Sequence, residues 1–266
     1  MTALSDEVGA AWRARALVWV LAKRELAARN AGSAGGRVWS YAQPLLMLAA
    51  YYLVFDVVFA MRLGENAPTR AVGAFLVVGA LPWMAFCDAV SRGMNSLLDA
   101  GSLLQKSPLP PVLFPLRSAL ASSLVYAPLM LAVALAYIPL HRFSPALLAL
   151  IPLVALQLLL SLLLGYLFAI FAAAMRDTVQ VVGFLLSVGI FLSPILFPIT
   201  LFPAAWRWVL WLNPMTALVT GYQSILLQGA WPNLTTWVIT LAWIALTALL
   251  LGPVIRRSRD QLADWL

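Results

Sequence analysis

Residues 143–175 read FSPALLALIPLVALQLLLSLLLGYLFAIFAAAM, 33 positions without one Asp, Glu, Lys or Arg. At about 1.5 Å per residue, a helix of that length is longer than the ~30 Å hydrocarbon core of a bilayer. A helix that is apolar on every face has no side to turn toward water, so this stretch predicts a membrane span projecting beyond the bilayer. The rest of the chain agrees. Of 266 residues, 63% are hydrophobic and 10% charged, whereas soluble proteins carry roughly 25% charged residues. Lipid is the solvent this composition suits.

Reading outward for charge-poor stretches predicts spans at about 38–61, 71–94, 112–139, 145–174, 178–199 and 233–255. The stretch from Trp208 to Ile255 is too long for one span. Asn213-Pro214 interrupts it, and Gly229, Pro232 and Asn233 interrupt it again. The segment between, Met215 to Gln228, is short and moderately polar. A full span there would give seven helices and separate the two basic ends of the chain. The positive-inside rule favours an even number. Residues 202–228 are therefore expected as a re-entrant or interfacial helical hairpin on the outer side. Irregular backbone at membrane depth must be buried in protein or line a watery cavity, so the hairpin either borders a passage or lies flat on lipid.

Thirteen Lys and Arg then fall inside, among them Arg13, Lys23, Arg29, Arg92, Lys106, Arg117, Arg176 and Arg256; four fall outside, Arg62, Arg70, Arg142 and Arg207. Both termini are expected in the cytoplasm. Trp206, Trp208, Trp211, Trp231 and Trp237 crowd the outer boundary, a depth that indole rings prefer. Residues 1–36 contain a helical stretch from Trp12 to Asn30, expected at the interface, followed by a joint at Gly32, Gly35 and Gly36. They hold no clean apolar core before a small-residue cleavage site, so no signal peptide is expected. Residues 256–266 form the tail. The expected fold is an all-α integral membrane protein of six transmembrane helices, with an N-terminal interfacial helix and an outer re-entrant hairpin between spans five and six.

The net charge of +7 reads as membrane orientation rather than nucleic-acid binding. The single cysteine, Cys87, excludes an intrachain disulfide. A phosphate-binding loop needs a lysine after glycine; Lys23 follows Ala22 and Lys106 follows Gln105, so the chain has no ATP site of that kind and no cofactor of its own. One His and one Cys do not make a metal site, and no serine elbow is present. Asp88 and Arg92, four apart, share a helix face near the inner end of the second span. They neutralise each other or face an interior channel. Asp56, near the outer end of the first span, reaches headgroups or a polar channel. Residues 95–111 lie inside, with a short helix from Ser96 to Lys106 ended by Ser107-Pro108 and Pro110-Pro111. A short helix projecting inward suits docking to a cytoplasmic partner.

Several motifs occur in an order that resembles the membrane subunit of type-2 ABC exporters, in the branch that exports O-antigen, capsule or teichoic acid. They are Lys23-Arg24-Glu25-Leu26, Arg37-Val38-Trp39, Gln43-Pro44-Leu45, Leu81-Pro82-Trp83, Leu104-Gln105-Lys106-Ser107-Pro108-Leu109-Pro110, Arg176-Asp177-Thr178, Ser193-Pro194-Ile195-Leu196-Phe197-Pro198 and Leu212-Asn213-Pro214-Met215. Thr220-Gly221-Tyr222-Gln223 departs from the more polar run expected there. The resemblance implies a homodimer in the bacterial inner membrane, with a channel between the copies and a separate nucleotide-binding ATPase subunit docked on each. ATP and Mg would sit on that partner. Coupling contacts would come from Asp99, Gly101, Ser102, Leu104, Lys106, Arg176 and Asp177. The cargo would be a lipid-linked polysaccharide. Sugar rings stack on aromatic faces, so Tyr51, Phe55, Trp83 and Phe86 are expected to include channel-lining positions. Alternatives are a type-2 permease for a drug or lipid, an ATP-independent channel or secondary transporter, and a membrane enzyme acting on a lipid-linked sugar. The scarcity of acids and His disfavours the enzyme.

Overall fold

The computed structural model describes residues 2–59, 63, 69, 71–106, 109–141, 144–259 and 261–266, with the side chains of 2–3, 139–141 and 263 left aside. Arg62, Arg70, Arg142, Ser107, Pro108 and the end of the first expected span lie outside the described residues. Among the described residues all regular structure is helical apart from one isolated bridge position.

Two helices open the chain, α1 (Thr2–Arg13) and α2 (Arg15–Ala28). A turn with left-handed Gly32 and Gly36 (φ 83° and 49°) leads into α3 (Val38–Tyr52). The axis of α3 continues as a π-helical stretch, Leu53–Val58, closed by Phe59 N–H to Val54 C=O at 2.9 Å. Helix α4 (Val72–Asp99) is followed after one residue by α5 (Gly101–Lys106). Then come α6 (Leu113–His141), a 3-10 turn Pro145–Ala149 running into α7 (Leu150–Ala174), and α8 (Asp177–Gly189). Short α9 (Arg207–Leu210) precedes α10 (Met215–Gln228), α11 (Leu234–Ser258) and α12 (Leu262–Trp265).

Among the described residues, five helical stretches are long and apolar enough to cross a membrane: 38–58, 72–99, 113–138, 145–174 and 234–258. The expected fifth span, 178–199, is not among them. The stretch expected at 178–199 is helical for 13 residues only, about 20 Å against a ~30 Å core. Gly189 ends it, and turns follow through Pro194 and Pro198, whose missing N–H groups cannot continue a helix.

Helix α4 is the hub. Two thirds (67%) of its apolar window is buried within the chain, against 11% for α3 and 22% for α11. It packs on α7 through a glycine pair: a Cβ on Gly93 would lie 3.1 Å from the Cα of Gly165. Small residues there bring two backbones into contact, the packing that drives helix association in lipid. Pro82 of α4 meets Gln157 of α7, and Gly93 meets Gly165, so the two helices run parallel. The apolar core has two parts. One surrounds Phe75, Leu81, Leu153, Ile195 and Tyr222. The other gathers Val18, Leu97, Phe114, Tyr166, Ile255 and Leu262, which brings α2, both ends of the 99–113 connection, α7, α11 and α12 to one end of the bundle.

Candidate functional site

At that end, α5 and the turn between α7 and α8 are presented together. Asp99, Ser102, Lys106, Arg176 and Asp177 are exposed, Leu104 is half-buried and Gly101 is buried. Asp177 occupies the first turn of α8, where a carboxylate meets the positive end of the helix dipole. Gly101 is buried for a packing reason: a Cβ there would come within 3.2 Å of the Leu266 carbonyl oxygen. Only Ala100 separates α4 from α5.

About two to three turns back along α4 from Asp99, a charged cluster joins α2, α4 and α6. Arg92 Nε donates to Asp88 Oδ1 at 2.8 Å, the pair legible from the i, i+4 spacing. The other oxygen of Asp88 is taken by Arg29 Nη1 at 3.0 Å and by the hydroxyl of Ser122 at 2.5 Å. Arg29 Nη2 also donates to Ser122 Oγ at 3.0 Å. Its side chain is 5% exposed. Burial pulls its guanidinium below the usual range and the Asp88 charge opposes that; a guanidinium keeps its charge in proteins. Glu25 receives Ser118 at 2.9 Å and lies 3.2 Å from Arg117 Nε. Arg29 was not singled out from sequence. The available signal was Glu25 with Arg29 at i, i+4 on the second helix, and Ser118 with Ser122 at i, i+4 in an apolar span. Clefts of about 430 and 370 Å³ flank the cluster.

The middle of the bundle holds the broken segment. Asn213 Nδ2 donates to the Gly189 carbonyl at 2.9 Å, and its Oδ1 accepts from Met215 N–H at 3.0 Å. Gln223 Nε2 donates to the Pro194 carbonyl at 2.6 Å, and Thr216 Oγ1 to the Leu210 carbonyl. Tyr222 donates to Gln157 Oε1 at 2.8 Å, and Gln157 Nε2 to the Pro82 carbonyl at 2.9 Å. The Gly189 and Leu210 carbonyls also accept from the N–H groups of Leu192 and Asn213, so at the break the backbone polar groups are satisfied by turns and side-chain amides together. Helix α10 ends with left-handed Gly229 (φ 62°), its N–H on Ile225 C=O and Ala230 N–H on Ser224 C=O.

The four aromatic residues do not share one face. Tyr51 and Phe55 are half-buried on α3 and its π-helical end. Trp83 and Phe86 are core residues, 6% and 3% exposed, with ring centroids 5.7 Å apart. The Trp83 ring fills the space above Gly189, where a Cβ would come within 2.5 Å of it. Among the described residues no three His, Cys, Asp or Glu gather as a metal-ligand set.

The family model for the ABC-2 type transporter matches residues 16–227. The chain is 32% identical over 253 residues to an O-antigen export system permease protein of Myxococcus xanthus, covering 93% of this chain and 94% of that one. It is 23% identical over 216 residues to an O-antigen export system permease protein of Klebsiella pneumoniae, 80% and 81% of the two chains. To a polysialic acid transport protein of Escherichia coli it is 24% identical over 245 residues, 90% and 91%.

Proposed function

The chain belongs to the ABC-2 type transporter family, and from that premise we propose that it is the permease subunit of an ATP-driven exporter of a lipid-linked polysaccharide. The near full-length similarity to an O-antigen export permease carries this reading; a second polymer transporter among the relatives supports it over a drug or lipid permease. The chain is a multi-pass protein of the bacterial inner membrane, and its motor is a separate ATPase subunit that holds ATP and Mg.

Two copies form the pathway, each docking one ATPase. The wide apolar exposure of α3 (11% buried) and the exposed Val181, Phe184 and Leu185 of α8 supply surface for a second copy. The sixth crossing is completed by α8 with the turns after it. The tip of the 202–228 hairpin, Asn213, lies beside Gly189, which faces Trp83, eleven residues into α4; at about 1.5 Å per residue that is roughly half the bilayer core. This depth supports a re-entrant hairpin bordering the passage. With both termini and the α5 end in the cytoplasm, the ATPase meets Asp99, Ser102, Leu104, Lys106, Arg176 and Asp177, and buried Gly101 lets α5 pack closely. The cluster around Asp88 makes α2, α4 and α6 move as one body when α5 is pushed. Tyr51 and Phe55 face the polymer, with Trp83 and Phe86 as the wall behind them.

The test is a mild-detergent purification of the tagged chain from native membranes. An equimolar nucleotide-binding subunit with ATPase activity supports the proposal, and a chain that elutes alone and inactive from several detergents overturns it. Alanine at the half-buried Tyr51 and Phe55 together is expected to impair export while the complex still assembles, whereas alanine at the core residues Trp83 and Phe86 is expected to cost about 3–5 kcal/mol each in packing.

A further inference from the structure

The family match begins at residue 16 and ends at residue 227, yet α1 and α12, both outside it, converge on the roots of the coupling segment. Glu7 is the centre of this contact. It is 6% exposed, while its chain neighbours Asp6 and Val8 are exposed. Its Oε2 accepts from the N–H of Val112 at 3.3 Å, where α6 begins, and Tyr166 of α7 lies beside the same carboxylate. Arg259, beyond the end of α11, supplies the nearby positive charge. A carboxylate at a helix N-terminus is favoured by the dipole and by the free amides there. From the other side Leu262 is buried against the same apolar cluster, and Leu266 packs on Gly101 at the start of α5. The segment 100–112 is thus held at its start by α12 and at its end by α1.

We propose that α1 and α12 form a clasp that fixes the position of the coupling segment, with Glu7 as its positioning residue. An α5 free to swing on its two connections would absorb the stroke of the motor; a clasped α5 passes it to α4. The functional half of this inference rests on the reading that α5 meets the ATPase; the mechanical half does not.

The test uses the full chain with its ATPase subunit, reading backbone amide exchange over residues 100–114 and export per ATP hydrolysed. Glu7→Ala is expected to speed exchange there about tenfold and to lower export per ATP at least threefold, about the effect of losing a fraction of one charged hydrogen bond. Glu7→Gln keeps an acceptor for Val112 and is expected to restore both, which a general folding defect would not show. Tyr166→Phe removes the hydroxyl beside the Glu7 carboxylate and is expected to fall between. If Glu7→Ala does not assemble, Tyr166→Phe and Gly101→Leu, which pushes Leu266 away, decide the matter. Exchange and coupling unchanged in these variants overturn the clasp. Asp99→Lys with Lys106→Glu separates the two ideas: if ATPase association survives it while Glu7→Ala still speeds exchange, the docking reading fails and the clasp stands.

Discussion

Arg29, just past the end of α2, ties that helix to Asp88 of α4 and Ser122 of α6. It carries a charge into a site 5% exposed and is tolerated because Asp88 and Ser122 receive it. Removing one member of such a group leaves the other charge buried without its partner, which typically costs 3–5 kcal/mol when nothing replaces it. Arg92 still holds one oxygen of Asp88, so Arg29→Ala is expected to cost about 2–4 kcal/mol. A thermal scan of the purified protein should show a clear drop in apparent melting temperature. Arg29→Lys should recover only part of it, because an ammonium cannot reach both partners with a planar fork. Glu7 gives a pH signature. Burial raises its carboxyl above the ordinary 4.5, against the opposing pull of the Val112 N–H, Arg259 and Tyr166, with Asp6 adding to the rise. A raised folded value means that this group's contribution is fully present below about 4.5 and is lost as pH rises through the folded value. The protection of α1, taken after the intrinsic base-catalysed rise in amide exchange is divided out, should therefore fall with rising pH across that window, and Glu7→Gln should flatten that fall.

At the scale of the element, the segment 190–214 is held by side-chain amides. The carbonyls of Gly189 and Pro194 find Asn213 and Gln223, which lets the chain turn at membrane depth. Interhelical hydrogen bonds in lipid are worth about 0.6 to 2 kcal/mol each, so Asn213→Leu and Gln223→Leu should each loosen the hairpin without unfolding the bundle. With Cys87 replaced by alanine and Trp206→Cys as reporter, labelling by a membrane-impermeant thiol reagent should rise severalfold in either variant; an unchanged rate would mean that the amides do not hold the hairpin. The helical character of this region was legible in Asn213-Pro214 and in Gly229, both of which mark real breaks. What could not be read was where the fifth helix stops. Residues 178–199 hold no charged residue, and hydropathy alone cannot distinguish a helix from turns whose polar groups are satisfied by amides distant in sequence.

For the whole molecule, the uneven burial of the five long helices sets the expectation for assembly. α4 is spent on the interior of one chain, while α3 offers nearly its whole apolar surface outward. Leu46→Cys and Val181→Cys, on exposed faces of α3 and α8, should cross-link between copies in native membranes, in a Cys87→Ala background. If neither yields a dimer band, the pathway does not run between those faces.

The sequence by itself determined that the chain lives in lipid, that it is helical, and that it has no phosphate-binding loop of its own, because these follow from composition, from the length of charge-free runs and from residues that are simply missing. It also carried the Asp88–Arg92 pair, whose partners lie one turn apart. Tertiary structure alone decided that Arg29 completes that pair from another helix, that Trp83 and Phe86 sit in the core over Gly189, that Glu7 enters the base of α6, and that the fifth apolar stretch breaks at Gly189. Each depends on contacts between residues far apart in the chain. Periodicity reports which face of an element is apolar, but not which neighbour that face will meet.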